Sequence, residues 1–197
     1  YARDLYTMNA DMYQDDSDLG YSHRPGDYTF SHWPATILPD NSRRVVGTNT
    51  DSACTIELVG DSVTFAWGVS DAETGASLVA RELTDVHLIN TGVAGYNVVS
   101  VQRAIRHYRA DGYLYLLIDN DDEILPEWHG AQEPNGLAIS LYLYFMQRRN
   151  VKPPTIDNFD MVLREVLADD SVLAVTFDTE KGKAIAAKHG IQTIPMW

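Results

Sequence analysis

A chain of 197 residues with 45% hydrophobic and 22% charged side chains has the material for one full core and reads as globular. Its formal net charge of −13 speaks against nucleic acid or an anionic membrane as partner, and no apolar run reaches the roughly 20 residues of a membrane span. The lone cysteine, Cys54, excludes an internal disulfide and the paired-cysteine redox and zinc patterns; placed just before an apolar strand, it reads as a small core residue.

The chain begins at Tyr1 without a signal-like segment, which we read as upstream processing or as part of a longer product. An extracytoplasmic or secreted location is expected, with a cytoplasmic one as the alternative. Residues 1–53 are rich in Tyr, Asp, Ser, Asn and Pro, and we expect an irregular arm packed on the domain that follows. Within it a short helix is expected in Tyr1–Tyr13, turn chemistry at 21–27, and short edge strands at Thr29-Phe30 and Thr36–Leu38. His23 and His32, beside Arg24 and Trp33, read as surface residues of that arm.

From residue 54 the pattern sharpens. A strand is predicted at 55–59, then a helix at about 72–83 capped by Ser70 or Asp71 with Glu73 in its first turn. A second strand at 86–90 leads to a helix at 98–109 whose apolar face carries Val98, Val101, Ile105 and Tyr108. A third strand at 113–118 is apolar enough to be buried on both faces. A loop at 124–136 and an apolar helix at 137–149 follow, broken by Pro153-Pro154. Asp157 can cap a helix at 158–168; a strand at 171–177, a helix at 180–189 stopped by Gly190, and a strand at 191–194 complete the chain. Alternating strands and helices with right-handed crossovers give a parallel five-stranded sheet covered on both faces, one three-layer α/β domain over 54–197.

The stretch Ile56–Phe65 organises this domain. An apolar strand stops at Gly60-Asp61-Ser62 just before a helical pattern, which delivers a hydroxyl to the carboxyl edge of the sheet. Gly60 permits a sharp turn, and Asp61 is suited to accept from backbone N–H groups beyond it. The same edge should receive the Gly92–Gly95 turn after the second strand and Asn120 after the third. A hydroxyl, accessible turn N–H groups and an amide side chain supply a nucleophile and oxyanion donors for acyl transfer.

Three blocks in order, Gly60-Asp61-Ser62, then Asn90-Thr91-Gly92-Val93-Ala94-Gly95-Tyr96-Asn97, then Asn120-Asp121, resemble the SGNH (GDSL-type) hydrolase family. The text from Val59 to Thr74 is similar too, and the match covers residues 55–197. The resemblance implies a flavodoxin-like sheet and activity on esters, lipids or acetylated sugars. It makes Ser62 the nucleophile, with its own N–H, the Gly95 N–H and the Asn120 side chain as the oxyanion hole. Substrates would be small-molecule or carbohydrate esters, without a cofactor, and the oligomeric state stays open. The G-x-S-x-G elbow is absent, because Thr64 holds its second Gly position.

Two departures stand beside the match. The family's Asp-x-x-His block, which carries the general base after the fifth strand, occurs nowhere in residues 1–197. Either the block lies further along a longer product, or the chain is a non-catalytic relative, or another histidine serves; His129 is the best placed, ahead of His189, while His87 and His107 read as structural or solvated. Asp119 stands where the family has a small residue, and a carboxylate there opposes an oxyanion unless it points away. The run Asp119–Glu123 reads as a solvated acidic loop, with a hard-cation site as the alternative. The enzyme reading therefore competes with a binding or scaffold module. A nucleotide-binding reading is weaker, since neither G-x-G-x-x-G nor a Walker loop follows the first strand.

Overall fold

A computed structural model describes residues 12–30, 32–123 and 155–195. The strands are β1 (Tyr13–Asp16), β2 (Gly20–His23), β3 (Gly26–Phe30), β4 (Trp33–Ile37), β5 (Thr55–Gly60), β6 (His87–Asn90), β7 (Gly112–Leu117), β8 (Val172–Phe177) and β9 (Gln192–Ile194). The α-helices are α1 (Ser62–Phe65), α2 (Gly75–Ala80), α3 (Val98–Tyr108), α4 (Phe159–Leu167) and α5 (Glu180–His189). β5 to β9 form one sheet in the order β6-β5-β7-β8-β9, parallel throughout. This is the expected α/β architecture, with β5 between β6 and β7.

The two sheet faces have different partners. Val59, Tyr113, Tyr115, Leu117 and Ala174 pack with Val101, Ala104 and Ile105 of α3 and Val162, Leu163 and Val166 of α4. On the other face Ile56 and Leu58 meet Ala76 and Ala80 of α2, together with Val45 and Leu88. β7 is not buried on both faces as its composition suggested: Tyr113, Tyr115 and Leu117 are buried, while Leu114 and Leu116 are half-buried. Tyrosines are tolerated in this core because their tips find partners. The Tyr113 hydroxyl donates to Ile105 O and accepts from Ala110 N, both at 2.9 Å.

Among the described residues the arm is not irregular throughout: two antiparallel hairpins, β1–β2 and β3–β4, lie between Tyr13 and Ile37, the second containing the edge strands expected near Thr29-Phe30 and Thr36–Leu38. The first turns where Asp16 Oδ1 accepts from the N–H groups of Asp18 and Leu19. Leu19 and Tyr21 enter the main core, and Tyr21 O accepts from the Tyr96 hydroxyl at 2.7 Å. Further on, Arg43 N donates to Asn90 O at 2.8 Å, and Thr48 Oγ1 accepts from Leu88 N at 2.6 Å.

Other boundaries shift for local reasons. The helix expected at 72–83 divides into a 3-10 turn at Asp71–Glu73 and α2, because Thr74 is extended and caps α2 through Ser77 N. Cys54 is exposed rather than a core residue: it lies in the solvent-facing turn before β5, bonded through its backbone to Ser52. The helix at 158–168 is observed as α4, and the helix at 180–189 as α5, capped by Thr179 and Gly190. The short helix expected before Tyr13, the loop at 124–136 with His129, and the helix at 137–149 lie outside the described residues, save that Tyr13 itself opens β1.

Candidate functional site

The site begins where β5 ends. Asp61 takes the N-cap of α1: its Oδ1 accepts from Val63 N at 2.8 Å, and its Oδ2 accepts from the Ser62 hydroxyl at 3.1 Å. Ser62 is half-buried, so its hydroxyl is not sealed inside. Asn90, at the end of β6, ties the next loop to this turn. Its Nδ2 donates to Thr64 O at 2.8 Å and its Oδ1 accepts from Gly92 N at 3.0 Å. The approach is close enough that a Cβ on Gly92 would lie 2.4 Å from Phe65 N, so only glycine fits. Val93 N then donates to Gly60 O at 3.1 Å, and a turn closed by Tyr96 N to Val93 O carries Gly95 at φ +90°.

The third loop is stitched to the second. Val98 N donates to Asp121 O at 3.1 Å and Asn97 Nδ2 to Glu123 O at 3.3 Å. Asn97 also caps α3, accepting from Val99 N and Ser100 N. The carboxyl ends of three neighbouring strands thus carry Ser62, Gly95 and Asn120 on one rim, each half-buried.

The acidic run divides its side chains among separate partners. Asp119 turns to the start of α5, where its Oδ1 accepts from the Thr179 hydroxyl at 2.6 Å. Asp122 pairs with Lys181 at 2.6 Å. Asp121 is buried, not solvated as expected: its Oδ2 accepts from the Tyr115 hydroxyl at 2.5 Å and from Ile118 N at 3.3 Å. Among the described residues no three His, Cys, Asp or Glu side chains gather as a metal centre would require.

Burial sets the protonation of this region. Asp121 is held well above the usual carboxylate range, first by desolvation and then by the neighbouring Asp61 charge. Burial raises Asp61 too, opposed by the hydrogen bonds it accepts. Beneath the rim, Glu57 is fully buried in β5 and pushed up to about 8 by desolvation, against the opposing bond from the Thr91 hydroxyl.

The histidines are placed elsewhere. His23 is not a surface residue: it is fully buried between Phe65 and Tyr13, with ring centroids at 4.7 and 5.2 Å, and burial brings it down to about 3. His189 pairs with Asp160 of α4 at 2.8 Å, and His107 with Asp18 at 3.3 Å. Among the described residues no histidine hydrogen-bonds the Ser62 hydroxyl, which goes to Asp61. Glu57 and Arg43 were not singled out from the sequence, although a carboxylate inside an apolar strand was a readable signal for Glu57; Asp121 was named there only within the third block and the acidic run.

The backbone N–H of Trp67 donates to Ser62 O at 3.0 Å, and the Trp67 ring belongs to an aromatic cluster. Phe30 and Trp33 stack with centroids 4.1 Å apart, and Trp67 meets both edge-on at 5.1 Å. Of the other aromatics of the arm, Tyr21 belongs to the main core and Tyr13 packs against it.

No family model matches the chain, and no curated protein matches it. Similar solved structures include a lipolytic protein of the G-D-S-L family from Veillonella parvula, 17% identical, with 73% of this chain and 78% of that one covered at a TM-score of 0.39. A catalytic mutant of an acetylxylan esterase from Geobacillus stearothermophilus is 18% identical, covering 73% and 76% at a TM-score of 0.40. An esterase of the SGNH-hydrolase family is 15% identical, covering 74% and 77% at a TM-score of 0.37.

Proposed function

We propose that the chain is an ester hydrolase or acyltransferase of the SGNH type, acting through a covalent acyl-Ser62 intermediate. The observation that supports this best is the lacing of the Ser62, Gly95 and Asn120 loops along one rim by backbone and amide hydrogen bonds. In the first half-reaction Ser62 Oγ bonds to the acyl carbon, its proton leaves to a base, and the carbonyl π electrons move onto oxygen. The N–H groups of Ser62 and Gly95 and the Asn120 amide receive that oxyanion; Asp119, bonded to Thr179, does not oppose it. Collapse expels the alcohol, which takes up a proton, and water or a second alcohol then releases the acyl group. The resemblance assigns the base to an Asp-x-x-His histidine; within the described residues the Ser62 proton is directed at Asp61. The half-buried Phe30, Trp33 and Trp67 beside the turn favour an acetylated sugar as the ester, since ring faces stack on pyranose C–H groups.

Turnover of p-nitrophenyl acetate and labelling by an activated phosphonate test the reading. Both are expected in the wild type and neither in Ser62→Ala, and Asn120→Ala should lose about 10²–10³ in rate. A folded wild type that neither turns over nor labels would sink it. A second reading, a non-catalytic SGNH-like module binding a glycan or protein partner, draws on the Ser62–Asp61 bond, a resting contact that needs no chemistry. That outcome predicts glycan or partner binding unaffected by Ser62→Ala.

A further inference from the structure

The arm sends one side chain into the turn that bears Ser62. Arg43 bridges antiparallel to Ile37 on one side and to Asn90 on the other, so its backbone is fixed between β4 and β6. Its side chain is fully buried. Nε donates to Asp71 Oδ1 at 3.0 Å, Nη1 to Phe65 O at 2.6 Å and Ala66 O at 2.8 Å, and Nη2 to Val69 O at 2.6 Å. Phe65 O and Ala66 O lie at the C-terminal end of α1, where carbonyls lack a helical partner. Ala66 itself sits at φ +63°, a left-handed conformation that a non-glycine residue keeps only where its surroundings hold it. The guanidinium lies 4.6 Å from the Phe65 ring centroid and 5.5 Å from that of Trp33. Burial works against its charge, and Asp71 works for it.

This is more than a buried ion pair. The bonds from one planar fork all end between residues 65 and 71, and Asn90, Arg43's backbone partner, holds Thr64 O from the other side. α1 is a single turn, too short to hold its own shape. We propose that Arg43 is a positioning residue for Ser62: the arm supplies a guanidinium that fixes the far end of α1 and thereby the direction of the Ser62 hydroxyl. The proposal rests on the reading of Ser62 as nucleophile. Lysine matches the charge of this group but not its directions, so Arg43→Lys is not a conservative change here.

The test measures the rate of Ser62 labelling by a fluorophosphonate, read by intact mass, in wild type, Arg43→Lys and Arg43→Ala. Folding is checked by circular dichroism, and hydrogen exchange follows the segment 62–71 and the sheet separately. Positioning predicts roughly 10-fold slower labelling in Arg43→Lys and roughly 100-fold slower in Arg43→Ala, the range seen when reacting groups are misplaced by about an ångström. Exchange should accelerate in 62–71 and stay slow in β5 and β7. Millimolar guanidinium should restore at least part of the labelling rate in folded Arg43→Ala, a rescue that a purely structural role does not give. If Arg43→Ala does not fold, Arg43→Lys decides. Either folded variant labelling within about threefold of wild type would overturn the proposal and leave the Ser62 reading standing. A wild type that does not label at Ser62 would remove both.

Discussion

Glu57 is an acid in the middle of β5, between β6 and β7, and among the described residues no opposite charge pairs with it. One carboxyl oxygen accepts from the Thr91 hydroxyl at 2.5 Å, and the other has no partner among the described residues. An unpaired buried carboxylate is costly, so the folded protein keeps this group protonated up to about 8, whereas the unfolded chain loses the proton near 4.5. Its folded value is raised, so its contribution is most favourable below 4.5 and is lost as pH rises to about 8. Across that window stability should fall by up to ~1.4 kcal/mol per pH unit on account of this one residue. Glu57→Gln keeps the shape and removes the titration. Urea melts of both proteins through the window should show the variant gaining on the wild type as pH rises. Parallel curves would mean that Glu57 is already ionised in the fold. At this scale the ends of β5, β6 and β7 were legible from the sequence, and with them the turns on which Ser62, Gly95 and Asn120 stand. It offered for Glu57 only an acid inside an apolar strand and was silent on Arg43, because burial of a charged side chain is decided by chain segments distant in sequence: Thr91 for the first, residues 65–71 for the second.

The element that does most for the rim is α3, through its cap. Asn97 accepts from Val99 N and Ser100 N while donating to Glu123 O, so one amide both starts the helix and tethers the loop bearing Asn120. Asn97→Ala should cost about 1 kcal/mol by loss of the cap. Asn97→Asp keeps the acceptor and should cost less than half as much in a urea melt, yet it removes the donor to Glu123 O and should loosen 118–123 in hydrogen exchange. Equal losses in both variants would show that the tether to Glu123 O, and not the cap, carries the stability. Helices with a clear apolar stripe were legible to within a residue or two, as α3 and α4 show. The four-residue α1 carries no such period, and the two hairpins of the arm lack alternation because their strands are four or five residues long with mixed burial. Short elements are held by their neighbours, and their own composition says little about them.

For the whole molecule, the order of strands and helices in the sequence was enough to predict a parallel sheet, since a strand followed by a helix and another strand has one favoured hand. What that order left hidden is how the first 53 residues meet the sheet. β9 closes one side with only three residues, Gln192–Ile194. On the other side β6 would present a row of unsatisfied amides and carbonyls, and the two contacts already described, Arg43 N to Asn90 O and Leu88 N to Thr48 Oγ1, occupy them. The arm thus insulates the flank of β6 against a strand from another molecule. A protein trimmed to start at residue 54 would bare that flank, and light scattering should then detect concentration-dependent self-association that the intact chain, equally acidic in its sheet domain, does not show.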